Sequence, residues 1–402
     1  MEILPILRTM KRNKTAVALA VLQVALTLAI TCNAVFIIHD RLAMIGRPTG
    51  LAMDDIFYVT TVGYAPDYDS GNAIHRYLDT LRSLPGVVSA SAVHQFPLSL
   101  GGWTRDFRTR ADLAAPSQVA AVMHVDEHGL DTLGLRLIAG RSFNAAEVRY
   151  ADSDSYRIPP VAIVTQAAAD ELFPGGGALG RTIYSEDSLQ PHTIIGVVER
   201  LQGFHPHWAG FERTVLMPAV FTGMYCRFLV RTRSGERDRV MPEAQQKLDA
   251  LHTGAFVRSL RSLDSYRDNS YQDDQAMAAM LSTVAALILA ITSLGLAGLT
   301  SFNVRRRTRE IGTRRALGAR RRDILRYFML ETWLITAMGI ALGSAFAVAL
   351  NLWLVSLYDL PPLAWYYLPL GALSLWILSA LATLWPALKA SAIPPSIATR
   401  NT

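Results

Sequence analysis

Four long apolar runs divide the chain, and they constrain its fold more than any other feature. None of them carries a charged residue; they cover 16–38, 275–304, 332–358 and 360–388. About 20 apolar residues cross the roughly 30 Å hydrocarbon core of a bilayer. A buried helix of a soluble protein is rarely apolar over such a length. We therefore predict four transmembrane helices, at 16–38, 276–304, 332–358 and 366–388.

Positive charge is concentrated between the second and third runs. The stretch RRRTREIGTRRALGARRRDIL, residues 305–325, contains nine arginines, whereas the turn between the third and fourth runs contains no lysine or arginine. Short basic flanks stay in the cytoplasm, so we predict that the loop 305–331, the segment 1–15 and the tail 389–402 are cytoplasmic. The segment 1–15 resembles an amphipathic helix on the membrane surface. The net charge of +6 is then a signal of topology and not of nucleic-acid binding.

The long segment 39–273 is predicted to form an extracytoplasmic α+β domain. Two β-α-β patterns, at 54–98 and 228–263, enclose a mostly β insertion at about 102–222. Two such halves can share one ferredoxin-like, porter-type sheet. The helix of the first half is predicted at 70–87, with Ser70 as its N-cap.

Signs of catalysis, metal binding or ion transport are weak. No glycine is followed by lysine, which excludes a phosphate-binding loop of the G-x-x-x-x-G-K type. His205 and His207 alternate in a segment that favours a surface loop over a metal site, and the two cysteines, Cys32 and Cys226, suggest neither a disulfide nor a metal site. The predicted spans contain no ionisable residue. Their notable polar residues are interpreted as helix-packing contacts: Gln23, Asn33 and Asn351.

The arginine-rich loop is predicted to contain a short helix. Thr308 can cap its start, Glu310 favours the helix dipole, and Gly318 suits the position that ends it. Asp323 then begins the helix of the third span. Apolar residues with a positive rim would suit docking into a groove of a partner protein.

The stretch TREIGTRRALGARRRDILRYFMLET resembles the FtsX-like permeases, the four-span subunits of ABC systems of the macrolide-exporter (MacB) type. The segments 130–143, 160–183 and 192–203 resemble the MacB-type periplasmic core domain, and the tail WPALKASAIPPSIATR resembles that of the family. The resemblance implies that the loop is a coupling helix, which docks on a separate ABC ATPase subunit that binds the ATP. No cofactor is expected in this chain itself. The implied docking residues are Glu310, Ile311, Arg314, Arg315, Ala316, Leu317 and Gly318.

The resemblance also implies a location and a task. The chain is expected in a bacterial inner membrane, paired with an identical or paralogous permease and working with a membrane-fusion protein and an outer-membrane channel. The leading prediction is a non-enzymatic permease of an export or mechanotransmission complex, for efflux of a compound or peptide. The alternatives are a regulator of a cell-wall hydrolase and a lipoprotein-releasing permease. A membrane receptor is disfavoured, because no predicted cytoplasmic piece reaches 30 residues. The sequence does not specify the substrate.

Overall fold

The protein is described here from a computed structural model that covers residues 14–151, 159–185, 189–358 and 361–392. Most of the predicted segments 1–15 and 389–402 therefore lies outside the described residues. The chain divides into two compact units. One comprises the residues up to Ala43 and from Asp274 onward, and the other is Met44–Asp273, which we call the outer domain.

The outer domain follows the first long helix, α1 (Lys14–Ile45), and starts with a β-α-β unit. This unit consists of β1 (Ile56–Gly63), α2 (Ser70–Ser83) and β2 (Val87–Val93). The predicted cap of α2 is wrong by one residue. The carboxylate of Asp69, and not the hydroxyl of Ser70, accepts a hydrogen bond from the backbone N–H of Asn72 at 3.0 Å. Aspartate in extended conformation is as good an N-cap as serine.

The middle of the outer domain is mostly β. Its elements are β3 (Trp103–Arg108), β4 (Ser117–Val125), α3 (Gly129–Leu133), β5 (Leu137–Gly140), β6 (Arg149–Ala151), β7 (Val161–Thr165), α4 (Gln166–Leu172), β8 (Thr182–Ser185), β9 (Gln190–Val198) and β10 (Thr214–Phe221). A second β-α-β unit follows, with β11 (Tyr225–Thr232), α5 (Arg237–Asp249) and β12 (Ala255–Ser262), and then the short helix α6 (Leu263–Ser270).

The two β-α-β units combine into one antiparallel sheet in the order β12-β1-β11-β2. Helices α2 and α5 bury their apolar faces on this sheet, as their helical spacing requires. Tyr77, Leu78 and Val240 are among the buried side chains there. The middle strands continue the same sheet. Among them β4, β3, β8, β9, β7 and β10 form a closed ring, because β10 also pairs with β4. The interior of this ring is a separate apolar cluster that includes Phe107 and Ile194.

The other unit contains the remaining helices. They are α7 (Gln272–Arg306), α8 (Thr308–Ala316), α9 (Arg321–Tyr358) and α10 (Tyr367–Ser391). Together with α1, three of these are long and apolar enough to cross a membrane: α7, α9 and α10. This agrees with the four predicted spans.

Polar residues of the spans contact neighbouring helices, as predicted. The side-chain amide of Gln23 donates to the carbonyl of Ile291 at 3.2 Å, and that of Asn33 donates to the carbonyl of Ala347 at 3.0 Å. Asn351 instead accepts from the backbone N–H of Leu363 at 2.9 Å, in the connection between α9 and α10. These hydrogen bonds satisfy part of the polar side chains in an apolar bundle, whereas the side-chain oxygen of Asn33 is buried without a hydrogen-bond partner among the described residues.

Candidate partner interface at the arginine-rich loop

The short helix α8 lies in the predicted loop, between the ends of α7 and α9. Its N-cap is Arg307, and no side chain caps it. The hydroxyl of Thr308 instead donates back to the carbonyls of Val304 and Arg305, at 3.0 and 2.9 Å. The predicted capping role of Thr308 is therefore wrong. Because Thr308 is the first helical residue, its hydroxyl satisfies carbonyls at the C-terminal end of α7.

The C-terminal end of α8 is defined by Gly318, as predicted. Gly318 has a φ of +100°. Its N–H donates to the carbonyl of Arg315 at 3.2 Å, and the N–H of Ala319 donates to the carbonyl of Arg314 at 3.1 Å. This pair of bonds is the Schellman motif, which requires a left-handed residue and thus favours glycine. Asp323 lies in the first turn of α9, also as predicted, and accepts from the N–H of Arg320 at 2.8 Å.

One face of α8 packs against the chain itself. Ile311 is 4% exposed and belongs to an apolar cluster with Val304, Phe328 and Ala387. The guanidinium of Arg315 donates to the carbonyl of Ser391 at 3.2 Å. These contacts join α8 to the ends of α7, α9 and α10.

The other face of α8 is open. Leu317 is 84% exposed, which makes it the most exposed large apolar side chain of the described part of the chain. Glu310, Ala316 and Gly318 are exposed beside it. Arg314 pairs with Glu310 at 2.8 Å, and its guanidinium lies 5.2 Å from the centre of the Tyr327 ring. The result is an apolar knob next to an exposed ion pair.

The seven predicted docking residues thus fall into two groups. Five lie on the open face: Glu310, Arg314, Ala316, Leu317 and Gly318. Ile311 and Arg315 hold the helix against the bundle, so the side chain of Ile311 is not available to a partner. That these residues contact another protein stays a prediction, because the structure contains one chain.

The sequence-based prediction missed an ion pair at the N-terminal end of α8. Arg307 and Glu331 lie 3.1 Å apart, and their side chains are only 11% and 5% exposed. Arg307 also donates to the hydroxyl of Tyr327 at 3.1 Å. The predicted third span began at residue 332 and left Glu331 outside it. In the structure α9 begins at Arg321, so Glu331 lies well inside this helix.

Family profiles match both parts of the chain. The profile of the MacB-like periplasmic core domain matches residues 17–250, and that of the FtsX-like permease C-terminal region matches residues 282–395. The second match contains α8 and the whole arginine-rich loop.

Several curated proteins are similar in sequence. One is the macrolide export ATP-binding/permease protein MacB of Neisseria gonorrhoeae, 27% identical over 262 residues, which cover 64% of this chain and 38% of that protein. Another is the MacB protein of Azoarcus sp., 29% identical over 233 residues, which cover 56% of this chain and 34% of that protein. The chain thus matches only about a third of the length of these relatives.

Among solved structures, the periplasmic region of MacB from Actinobacillus actinomycetemcomitans aligns with 56% of this chain and 97% of that structure. The TM-score is 0.34 and the sequence identity 15%.

The profile of the periplasmic core domain covers more than half of the chain, and the profile of the permease C-terminal region covers most of the rest. A chain with these two parts and four apolar helices is a transmembrane permease component of the inner membrane with a periplasmic domain. The protein belongs to the FtsX/MacB-type family of ABC transporter permeases.

Proposed function

We propose that the chain is the permease subunit of an ABC-type export complex, and that it transmits the motion of an ATPase to its outer domain. The ATPase binds and hydrolyses the ATP, on a separate subunit. Arg-rich flanks orient the chain with α8 in the cytoplasm and the outer domain in the periplasm. A second permease, identical or paralogous, completes the membrane part. A membrane-fusion protein and an outer-membrane channel complete the export route for a compound or peptide.

The geometry of α8 carries this proposal. A single exposed leucine is common on protein surfaces. Leu317 differs because it follows a helix that the chain holds from the other side, through Ile311 and Arg315. A partner that buries Leu317 gains roughly 2 kcal/mol of apolar burial. The ion pair of Glu310 and Arg314 at the rim supplies polar contacts that fix the orientation of the partner.

The strand order of the outer domain supports a ferredoxin-like sheet. In β12-β1-β11-β2, each β-α-β unit leaves a gap that a strand of the other unit fills. This is the split arrangement of that fold. In the chain, β1 is the first strand after α1, and β12 is the last strand before α7. Motion of α1 and α7 therefore reaches the domain through both of its chain ends.

The test is co-purification of the full chain from its native membrane, with partners identified by mass spectrometry. Leu317→Asp places a charge in the contact and should remove a co-purifying ATPase. The matched control is Leu113→Asp, a second exposed leucine, 54% exposed, on the outer domain. It should retain the ATPase.

Two results would contradict the proposal. One is an ATPase that co-purifies equally with the wild type and with Leu317→Asp. The other is the absence of any ATPase from the wild-type complex. A cell-wall hydrolase in place of a membrane-fusion protein among the remaining partners would replace export by hydrolase regulation as the task.

A further inference from the structure

A pocket of about 410 Å³ lies in the outer domain, apart from the arginine-rich loop. The loop that follows β2, the start of β3, β11 and α6 each contribute to its wall. Its volume is in the range of pockets that hold small molecules, about 300–1,000 Å³. Nothing in the proposed coupling function requires a pocket at this position.

Aromatic side chains form much of the wall. Phe96, Trp103 and Tyr266 all line the pocket. The rings of Phe96 and Tyr266 are 5.5 Å apart, and both also contact Tyr58. The ring of Trp103 lies 4.5 Å from that of His94. These contacts hold the three rings in place. Phe96 is only 2% exposed, so a planar ligand can stack on Trp103 and Tyr266 without ordering the wall first.

The pocket also contains one cation. Arg227 is half-buried, and its guanidinium donates to the carbonyl of His94 at 2.9 Å. No carboxylate among the described residues forms an ion pair with Arg227, and none lines the pocket. Gln95 lies beside it and uses its side-chain oxygen to accept the N–H of Trp103 at 3.1 Å, which leaves its amide hydrogens as donors. A half-buried arginine with one carbonyl partner retains donors for an anion.

The loop that closes the pocket is strained. Leu98 and Leu100 have φ values of +63° and +57°, which are unusual for leucine. Their N–H groups donate to the carbonyls of Gly203 and Phe204, at 3.1 and 3.2 Å, and the hydroxyl of Ser270 donates to the carbonyl of Leu98. Left-handed leucine costs on the order of 1–3 kcal/mol and persists where the surroundings enforce it, most often at functional sites.

We propose that this pocket binds a small aromatic anion, a compound with a planar apolar body and one carboxylate, sulfonate or phosphate group. The body stacks on Trp103 and on Tyr266, whose ring packs against Phe96, and the anionic group pairs with Arg227. This site is independent of the docking of an ATPase, so the two proposals can fail separately.

The experiment measures binding of 6-fluoro-2-naphthoate to the full chain in lipid nanodiscs, without an ATPase, by fluorine NMR. Its neutral analogue, 6-fluoro-2-naphthalenemethanol, and empty nanodiscs report lipid partitioning. The wild-type protein should bind the naphthoate at least about tenfold more tightly than the alcohol. Arg227→Gln should remove that preference. Arg227→Lys should keep part of it, because it keeps the charge.

The matched control is Arg231→Gln, which removes the same charge from the same face of β11 outside the pocket and should change nothing. Trp103→Leu should weaken both ligands by removing a stacking surface. The proposal is overturned if wild-type nanodiscs broaden the naphthoate signal no more than empty ones do. It is also overturned if Arg227→Gln and Arg231→Gln bind the naphthoate equally. Thermal unfolding of each variant shows whether a loss of binding reflects a loss of folding.

Discussion

The buried pair of Arg307 and Glu331 should be a strongly coupled contact of the helical unit. The pair lies at the N-terminal end of α8. The side chains of Arg307 and Glu331 are 11% and 5% exposed, and a guanidinium nitrogen lies 3.1 Å from a carboxylate oxygen. Removal of one partner leaves the other charge buried without compensation, which costs about 3–5 kcal/mol. We therefore expect Glu331→Ala and Arg307→Met each to lower the free energy of unfolding by that amount.

The double variant, Arg307→Met with Glu331→Ala, distinguishes coupling from simple loss of packing. Without either charge the desolvation penalty disappears, and an apolar replacement of a buried pair is often close to neutral. The double variant should thus be clearly more stable than either single variant. The measurement is unfolding of the purified chain by titration with sodium dodecyl sulfate, analysed as a double-mutant cycle.

A matched control lies within α8 itself. Glu310 and Arg314 also form an ion pair, 2.8 Å apart, but their side chains are 57% and 43% exposed. An exposed i,i+4 pair contributes only about 0.3–0.5 kcal/mol. Glu310→Ala should therefore hardly change unfolding. Strong coupling of Arg307 and Glu331 would be refuted if Glu331→Ala cost no more than Glu310→Ala, or if the effects of the two charge removals at the buried pair were additive.

Three further predictions concern single residues. Gly318→Ala should destabilise the end of α8 by about 1–2 kcal/mol, because the φ of Gly318, +100°, is left-handed. Gly175 has open space around it and no such φ, so Gly175→Ala should cause no such loss. Hydrogen exchange of α8 measures the difference. Burial lowers the pKa of His94 to about 4 and also lowers the pKa of His192. Each folded-state value lies below the unfolded one, so the unfolded chain binds more protons and stability is lost as the pH falls below about 6.5. For His94 the loss continues towards pH 4, by up to about 1.4 kcal/mol per pH unit. Thermal unfolding across that range should show the loss, and a wild-type slope that His94→Phe does not reduce would contradict the assignment. Burial also raises the pKa of the Cys226 thiol, so a water-soluble maleimide should label it only after denaturation, and rapid labelling of the native protein would contradict its burial.

Local patterns in the sequence predicted much of the fold. The four spans follow from uncharged length alone, and Gly318 follows from the need for a left-handed residue after a helix. The helices and strands of the two β-α-β units follow from apolar spacing. At the start of α2 the prediction erred because a neighbour with similar chemistry took the role. Asp69 caps α2 in place of Ser70, because either side chain can accept the same N–H.

Contacts between distant segments could not be predicted in this way. Arg307 and Glu331 are separated by a helix and a turn, and nothing in the local pattern pairs them. Phe96, Trp103, Arg227 and Tyr266 come from four separate segments that only the sheet order brings to one pocket. The pocket depends on the pairing of β2 with β11, which are more than 100 residues apart in the sequence. Sequence periodicity, by contrast, reports on one element at a time.

The attachment of α8 explains how a short surface helix could transmit force. An isolated helix of nine residues is unstable in water, so a partner that pushed on it would unfold it before moving anything else. Here the opposite face is held at three places: by Ile311 in the apolar cluster, by Arg315 on the carbonyl of Ser391, and by Arg307 on Glu331. Ile311 packs in a cluster with residues of α7, α9 and α10, Arg315 contacts the end of α10, and Arg307 contacts α9. Under the proposed function, a displacement of Leu317 would be shared among α7, α9 and α10, and loosening the Arg307–Glu331 pair should weaken that transfer without weakening partner binding.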